Sequence, residues 1–422
     1  MRALKKLLEA IVPKPLLRQI LSAYHFSFAC LGAIFFNYPA RKIIVVGVTG
    51  TKGKSSTTEL LNSTFEESGK KTALLNSIRI KIAEDSERNL LRMTMPGRFY
   101  IQRFLSDAVK AGCEVAIVEM TSEGARQHRH RFLEMNALIF TNLAPEHIES
   151  HGSYENYANA KFEIARELAR SHKLPRIVAA NADDRESARY LSLPVEISIP
   201  FSLSSCQPWS SDESGGRFRF DNLDIHVKLP GEFSLKNALA SATVARAFGI
   251  PSKTIRQALE KIDKIPGRAE QISEGQDFTV VVDYAHTPDS LQSLYNAYDK
   301  SKKICVLGAT GGGRDVWKRP VMGAIADSEC DVVILTNEDP YDENPREIVN
   351  AVAKRMKREP KIIMDRREAI RHALMLAKPG DAVLITGKGT DPCICVENGK
   401  QIPWSDADVA REELKAIAAA KV

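Results

Sequence analysis

The stretch Ile43-Ile44-Val45-Val46-Gly47-Val48-Thr49-Gly50-Thr51-Lys52-Gly53-Lys54-Ser55 decides the fold of this chain. Residues 43–48 are apolar and largely β-branched, so they read as a buried strand. Two glycines and two lysines then crowd into residues 50–55, ahead of a helical pattern that starts near Ser55. The backbone N–H groups of such a turn, with the positive end of the following helix, form a cradle for an anion. Gly50, Thr51, Lys52, Gly53, Lys54, Ser55 and Ser56 are therefore the nucleotide-binding candidates. Lys54 would neutralise β- and γ-phosphate charge, and the Ser55 hydroxyl would ligate magnesium. The strict G-x-x-x-x-G-K-[ST] spacing fails, because position 48 is valine. The plainer alternative is a tight strand–helix turn that binds no nucleotide.

Outward from the loop, apolar runs at 114–120, 137–143 and 176–181 alternate with helical patterns. That alternation predicts a parallel α/β sheet. Ligands of such sheets gather beyond the carboxyl ends of the strands. The glycine loop, Glu119 and His147 all fall at such ends. A carboxylate at position 119, closing a mostly apolar strand, suits a hard cation such as magnesium. His147, in Pro145-Glu146-His147, reads either as a metal ligand or as a loop histidine. Residues 200–230 turn rich in Ser, Gly and Asp, which predicts a small antiparallel ribbon attached to the first domain. A helical stretch at 237–248 and a hinge at Pro266-Gly267-Arg268 follow.

A second alternating series places strands at 278–283, 303–307, 331–336, 361–364 and 381–386. The expected fold class is α/β: a central P-loop-type parallel-sheet ATPase domain at 42–264 and a C-terminal Rossmann-like domain at 265–422. A short helical segment, 1–41, precedes them.

Tyr157, Lys161, Ile164 and Leu168 recur at helical spacing, which sets Lys161 inside an apolar stripe. A buried lysine must lose its proton, find an anion, or be chemically changed. A lysine at the edge of the stripe would instead snorkel to water. Conversion by CO2 to a carbamate would create an anion that binds magnesium.

The chain has 422 residues, with 44% hydrophobic and 27% charged side chains. Its net charge of +6 marks no nucleic-acid surface. The seven cysteines are scattered and odd in number, so reduced thiols are expected, and Cys393 and Cys395 form a lone C-x-C without a second pair for zinc. No Asp, Glu, Lys or Arg occurs between Gln19 and Ala40. That length could span a bilayer, but its polar residues favour a helix packed on the main body, with peripheral membrane contact as the alternative. No signal-peptide cleavage pattern is present.

Further segments, in order, carry a resemblance. They are the glycine loop, Phe140-Thr141-Asn142-Leu143, His147 with His151-Gly152, Asn159-Ala160-Lys161 and Asn181-Ala182-Asp183-Asp184. Then come Leu229-Pro230-Gly231 with Asn237, Pro266-Gly267-Arg268, Asp283-Tyr284-Ala285-His286-Thr287-Pro288-Asp289, Lys318-Arg319-Pro320 and Gly387-Lys388-Gly389. From about Ile43 to its end the chain resembles the Mur ligase family, most closely those members that add the third residue of the peptidoglycan stem peptide.

The resemblance implies an ATP-dependent ligase that forms an amide bond through an acyl phosphate; a cytoplasmic monomer is the expectation, although no residue pattern reports the oligomeric state. It implies magnesium on Ser55 and Glu119, and a second magnesium on His147 and carbamylated Lys161. Lys54, Lys161 and His147 would serve catalysis. Asn237 would face the adenine, and Arg268 and Asp283 would contact the nucleotide. Thr94, Ser122, Gln127 and Arg129 match positions that touch the muramoyl-dipeptide. Arg314 and Gly387 match positions that hold the incoming amino acid.

Two departures qualify this. Only about 40 residues precede the glycine loop, too few for the family's uridine-nucleotide-binding domain. Where diaminopimelate-adding members read Asp-Asn-Pro-Arg, this chain reads Glu338-Asp339-Pro340-Tyr341, and Asp391 replaces a frequent Glu. An acidic pocket of Glu338, Asp339 and Asp391 favours a side-chain amine, hence a basic or diamino acid. The competing readings are a ligase on a folate or poly-glutamate-like carboxylate, and a non-catalytic nucleotide-binding partner in wall assembly.

Overall fold

The computed structural model describes residues 13–146 and 148–420. His147 lies outside the described residues. The chain forms two compact units. One holds the described residues up to Leu143, with Glu155–Ser202 and Ala240–Ile255; the other holds Ala144–Tyr154, Leu203–Leu239 and the chain from Arg256 onward.

The first unit opens with helix α1 (Lys14–Phe35). Its small residues Ala29, Gly32 and Ala33 are buried. A Cβ added at Gly32 would lie 3.3 Å from the Phe99 ring, so the helix sits close against its neighbour. Ser22 hydrogen-bonds His128 at 2.8 Å, and the Phe26 ring meets His128 and Phe132. The packed helix expected for this segment is therefore present. Among the described residues no helix is long and apolar enough to cross a membrane.

The sheet of this unit runs β1 (Ile44–Thr49), β2 (Thr72–Leu75), β3 (Arg79–Ile82), β4 (Asp85–Arg88), β5 (Val115–Glu119), β6 (Ala137–Phe140), β7 (Ile177–Asn181) and β8 (Ile197–Phe201) in chain order. In space the order is β4-β3-β2-β5-β1-β6-β7-β8. β1 lies between β5 and β6, parallel to both, and only β3 runs against the others, pairing antiparallel with β2 and β4. Helices α2 (Lys54–Glu67), α3 (Arg98–Lys110), α4 (Ser122–Arg126) and α5 (Tyr154–Ala169) connect the strands. The strands near β1 are buried throughout, as parallel strands covered on both faces must be. The strand order turns back at β1, so the ends of β5, β1 and β6 form the crevice where this architecture binds ligands.

The second unit begins with a three-stranded antiparallel ribbon: β9 (Ser210–Asp212), β10 (Gly215–Phe220) and β11 (Leu223–Val227). The antiparallel ribbon expected between 200 and 230 is present, and its residues cluster with the second unit. Next come β12 (Glu270–Gln271), β13 (Thr279–Asp283), β14 (Lys303–Leu307), β15 (Val332–Leu335), β16 (Lys361–Ile362) and β17 (Ala382–Thr386), in the spatial order β12-β13-β17-β14-β15-β16. All but β12 pair in parallel. Alternation divides the core between the sheet's two faces. Val281, Cys305, Leu307 and Leu384 join one cluster; Val280, Val282, Ile304, Val306 and Ile385 join the other. A hairpin of β18 (Cys393–Cys395) and β19 (Gln401–Pro403) precedes the last helix, Asp406–Ala419.

The expectation of reduced thiols throughout needs one correction: Cys305 and Cys330 are joined, with Cα atoms 6.3 Å apart. The crossover helix Lys318–Glu329 returns the chain beside β14, which places the two sulfurs together in the core. The other five cysteines are free.

One buried ion pair holds the strand ends of the second unit. Arg366 donates to both oxygens of Asp406 at 2.8 and 2.6 Å, and to the carbonyl of Thr386 at 2.8 Å. Trp404 Nε1 also donates to Asp406 at 2.8 Å. Asp406→Ala would strand a buried guanidinium, so we expect a loss of about 3–5 kcal/mol in urea denaturation. Arg366→Met with Asp406→Leu should recover much of it.

Candidate active site

The glycine loop is held from below by the chain that follows β6. Thr51 N donates to Asn142 O at 2.8 Å, and Lys52 N donates to Asn142 Oδ1 at 3.0 Å. Thr141 Oγ1 and Asn142 Nδ2 both donate to Lys52 O, at 2.6 and 3.1 Å. Gly50 has φ +147, and a Cβ there would fall 1.9 Å from Thr141 Oγ1. Only glycine lets the loop approach this closely. Gly53 ends the loop at φ 79, and α2 starts with no side-chain cap and no acidic residue in its first turn. Lys54 folds back, its Nζ donating to Thr51 O at 2.8 Å. This is an anion cradle at a helix N-terminus.

Glu119 closes β5 and is 2% exposed. Its Oε2 accepts from Ser55 Oγ at 2.9 Å and from Ser77 N at 2.8 Å. Ser77 Oγ in turn pairs with Thr94 Oγ1 at 2.7 Å. A continuous run, Ser55–Glu119–Ser77–Thr94, therefore joins the phosphate loop to an acceptor candidate. Ser77, Thr141 and Asn142 had no assigned role in the sequence reading. Their signal was position, since each follows the carboxyl end of a central strand.

The other acceptor candidates cluster around Arg129. Its Nη2 donates to Gln127 Oε1 at 2.7 Å, and Nη1 donates to Met95 O. Burial, and next the neighbouring Arg98, push its pKa below the usual arginine value. Arg129 Nε is buried without a partner among the described residues. Such an inward-turned cation suits an anionic ligand, unlike Arg126, which pairs with Glu123 at the surface. Ser122 is buried where α4 begins.

Lys161 lies on the buried stripe of α5 with Tyr157, Ile164 and Leu168, as its spacing predicts. Only 2% exposed, it donates through Nζ to Gly50 O at 2.5 Å. Tyr157 supports the same loop, its hydroxyl 2.9 Å from Thr51 Oγ1.

The oxygen chemistry of Ser55 and Glu119 fits magnesium, which takes one or two protein ligands and completes its shell with water and phosphate. Among the described residues no group of three or more His, Cys, Asp or Glu side chains is arranged to hold a metal ion.

In the second unit the candidates sit at neighbouring strand ends. Asp283 ends β13 and accepts from Ala269 N and Ala285 N, both at 2.6 Å. Burial pushes its carboxyl above the ordinary value, against the pull of Arg268 and those amides. The Arg268 guanidinium lies over the Tyr284 ring, 4.5 Å from its centre. Asn237 is buried in the helix Glu232–Ala247. Arg314 lies 5.2 Å from the centre of the Tyr341 ring.

The three pocket carboxylates are not equivalent. Lys388, fully buried, donates to both oxygens of Asp339 at 2.9 Å and to Asp391 at 3.3 Å. Burial works against its charge, but Asp391 and Asp339 outweigh this and raise its pKa. Glu338 Oε1 accepts from Thr310 at 2.7 Å, while Oε2 is buried without a partner among the described residues. A Cβ added at Gly387 would lie 2.3 Å from that oxygen. Lys388 thus engages Asp339 and Asp391, while one oxygen of Glu338 keeps no partner among the described residues.

A phosphate cradle that shares hydrogen bonds with a buried metal-type carboxylate defines a nucleotide-dependent enzyme of the P-loop kind. The Mur ligase middle domain matches residues 48–245, and the Mur ligase glutamate ligase domain matches residues 267–389. The chain belongs to the Mur ligase family, ATP-dependent ligases that form amide bonds. It is 36% identical to a UDP-N-acetylmuramyl-tripeptide synthetase of Roseiflexus sp. (strain RS-1), over 96% of this chain and 84% of that one. It is 33% identical to a UDP-N-acetylmuramoyl-L-alanyl-D-glutamate--2,6-diaminopimelate ligase of Syntrophomonas wolfei subsp. wolfei, covering 92% and 82%. A solved ligase of that second name superposes with a TM-score of 0.61 at 25% identity, covering 89% and 79%. Mycobacterium tuberculosis folylpolyglutamate synthase with ADP gives 0.70 at 17% identity, over 86% and 91%, a likeness of fold alone.

Gly50→Ala should separate the loop from Thr141. With backbone strain of about 1–3 kcal/mol, calorimetry with a non-hydrolysable ATP analogue should read roughly tenfold weaker binding or worse.

Proposed function

We propose that this chain joins a basic or diamino acid to the carboxylate of a muramoyl-dipeptide-type acceptor, consuming ATP, in peptidoglycan precursor synthesis. The observation that carries this reading is the run Ser55–Glu119–Ser77–Thr94, which ties the ATP loop to the acceptor side by hydrogen bonds of 2.7–2.9 Å. In this reading the working divisions are a central domain at 42–264 and a C-terminal domain at 265–422. The enzyme works as a monomer in the cytoplasm, and residues 19–40 make peripheral contact with a membrane.

The acceptor carboxylate attacks the γ-phosphorus of ATP, giving an acyl phosphate and ADP. The incoming amine then attacks the acyl carbon and phosphate leaves. The glycine-loop amides and Lys54 bind and orient the phosphates. Thr94, Ser122, Gln127 and Arg129 hold the acceptor. Asn237, Arg268 and Asp283 receive the base and sugar of the nucleotide. Magnesium, held by Ser55 and Glu119, would spread the charge of the transferring phosphoryl group. A second magnesium would rest on His147 and Lys161. An ammonium would repel that cation, so Lys161 would serve as a carbamate, formed from the neutral amine and CO2 with loss of a proton. Its buried, enclosed position by the loop supports that assignment. Lys161→Ala should reduce turnover by at least about a hundredfold, the scale of losing one preorganised electrostatic group. A short carboxylic acid added to that variant should restore activity in phosphate-release assays. Unchanged turnover in the variant would remove Lys161 from the chemistry.

For the incoming amino acid, Arg314 and Gly387 receive the α-carboxylate, and Glu338 receives the distal amine. Tyr341 stands where an arginine would pair a distal carboxylate, which weakens the case for a side chain ending in an acid alone. Across a panel of amino acids, acceptor-dependent phosphate release should be fastest with lysine or diaminopimelate. Glu338→Gln should raise KM for that amino acid at least about tenfold, the effect of losing a buried charge-assisted hydrogen bond. Preference for a small neutral or an acidic amino acid would overturn the assignment.

A further inference from the structure

Helix α1 is packed the opposite way round from an ordinary surface helix. Its small residues Ala29, Gly32 and Ala33 face the body and are buried. Its large residues Ile20, Tyr24, Phe28, Leu31, Ile34 and Phe35 face outward, each 40–73% exposed. At 3.6 residues per turn these six lie within about a third of the helix circumference. Phe35 continues the face onto α3 through Phe99, their ring centres 5.6 Å apart. A surface helix normally turns its polar side outward, and one that is apolar all round is covered on both sides. An exposed apolar stripe of this extent marks a contact surface.

The charge around the stripe selects its occupant. Residues 1–42 contain seven Lys and Arg against a single acidic residue, Glu9. Their net charge of +6 equals that of the whole chain, so residues 43–422 are neutral on balance. No further Asp or Glu appears until Glu59. The stripe itself carries no charge, while basic residues stand before it (Lys14 and Arg18) and after it (Arg41 and Lys42). Apolar side chains with basic flanks match the acyl boundary and headgroups of an anionic bilayer, with the helix lying in the plane of the surface. The helix is not long and apolar enough to cross.

We infer that the outward face of α1, extended by Phe99, docks this enzyme on an anionic lipid surface. The inference rests on the peripheral membrane contact proposed for residues 19–40, and it names the lipid charge and the face that makes the contact. Docking is separate from the ligase chemistry, because none of the stripe residues belongs to the phosphate loop or the acceptor cluster.

The test is sedimentation of the full chain with vesicles of phosphatidylcholine alone and of phosphatidylcholine with 30% phosphatidylglycerol (about the anionic content needed for a clear surface potential). The expected result is binding at least tenfold tighter to the anionic vesicles, weakened by 1 M salt (where the Debye length is about 3 Å). Leu31→Asp with Phe35→Asp should abolish it. Amide-ligation turnover without vesicles should be unchanged in that variant, which shows that it folds. Equal binding to both vesicle types would keep a membrane contact but overturn the anionic assignment. Full binding by the double variant would assign the contact to another face. Failure to bind either vesicle, with the stripe instead buried in a dimer seen by analytical ultracentrifugation and broken by the variant, would overturn the inference altogether.

Discussion

A carboxylate buried to 2% exposure is stable only where hydrogen-bond donors meet it, and Glu119 imposes that condition on the first unit. Its donors come from the ends of two other strands: Ser55 follows β1 through the glycine loop, and Ser77 follows β2. β5 must therefore lie between β1 and β2, as it does. A carboxylate oxygen is also the kind of donor a nucleotide-bound cation takes. Structure and chemistry thus draw on one group. Thr94 joins the same run through Ser77, so the phosphate loop and Thr94 are linked without direct contact.

The loop is restrained from its other flank by backbone and amide groups. Asn142 and Thr141 hold Thr51 and Lys52, and Lys161 holds Gly50. Restraint from both flanks keeps the amide donors of the cradle oriented before a ligand arrives, which lowers the ordering cost of binding. The second unit shows the same economy of placement. Lys388 satisfies Asp339 and Asp391 and leaves one oxygen of Glu338 open beside Gly387.

The apolar face of α1 belongs to a different layer of the design. Its small-inward, large-outward arrangement contributes little to the core, since apart from Leu17 its buried residues are alanines and a glycine. What it stabilises is a close helix–helix approach that leaves the bulky side chains outside. A basic terminus on an otherwise neutral chain supplies the complementary long-range attraction.

Much of the fold was legible because strand and helix periodicities are local. The strand at 43–48 is β1 displaced by one residue, the run at 303–307 is β14 without change, and the Tyr157–Leu168 stripe is the buried face of α5. The glycine loop was legible for the same reason, because its chemistry is written in consecutive residues. The pairing of Cys305 with Cys330 was not legible, nor was the grip of Lys388 on two carboxylates. By itself the sequence determined the alternating α/β plan and the residues at each strand end, since these follow from steric periodicity and short turns. Only the tertiary structure decided which of those ends meet. Ser55 finds Glu119 across 64 residues and Lys161 finds Gly50 across 111, and such contacts depend on strand order, which no local pattern encodes.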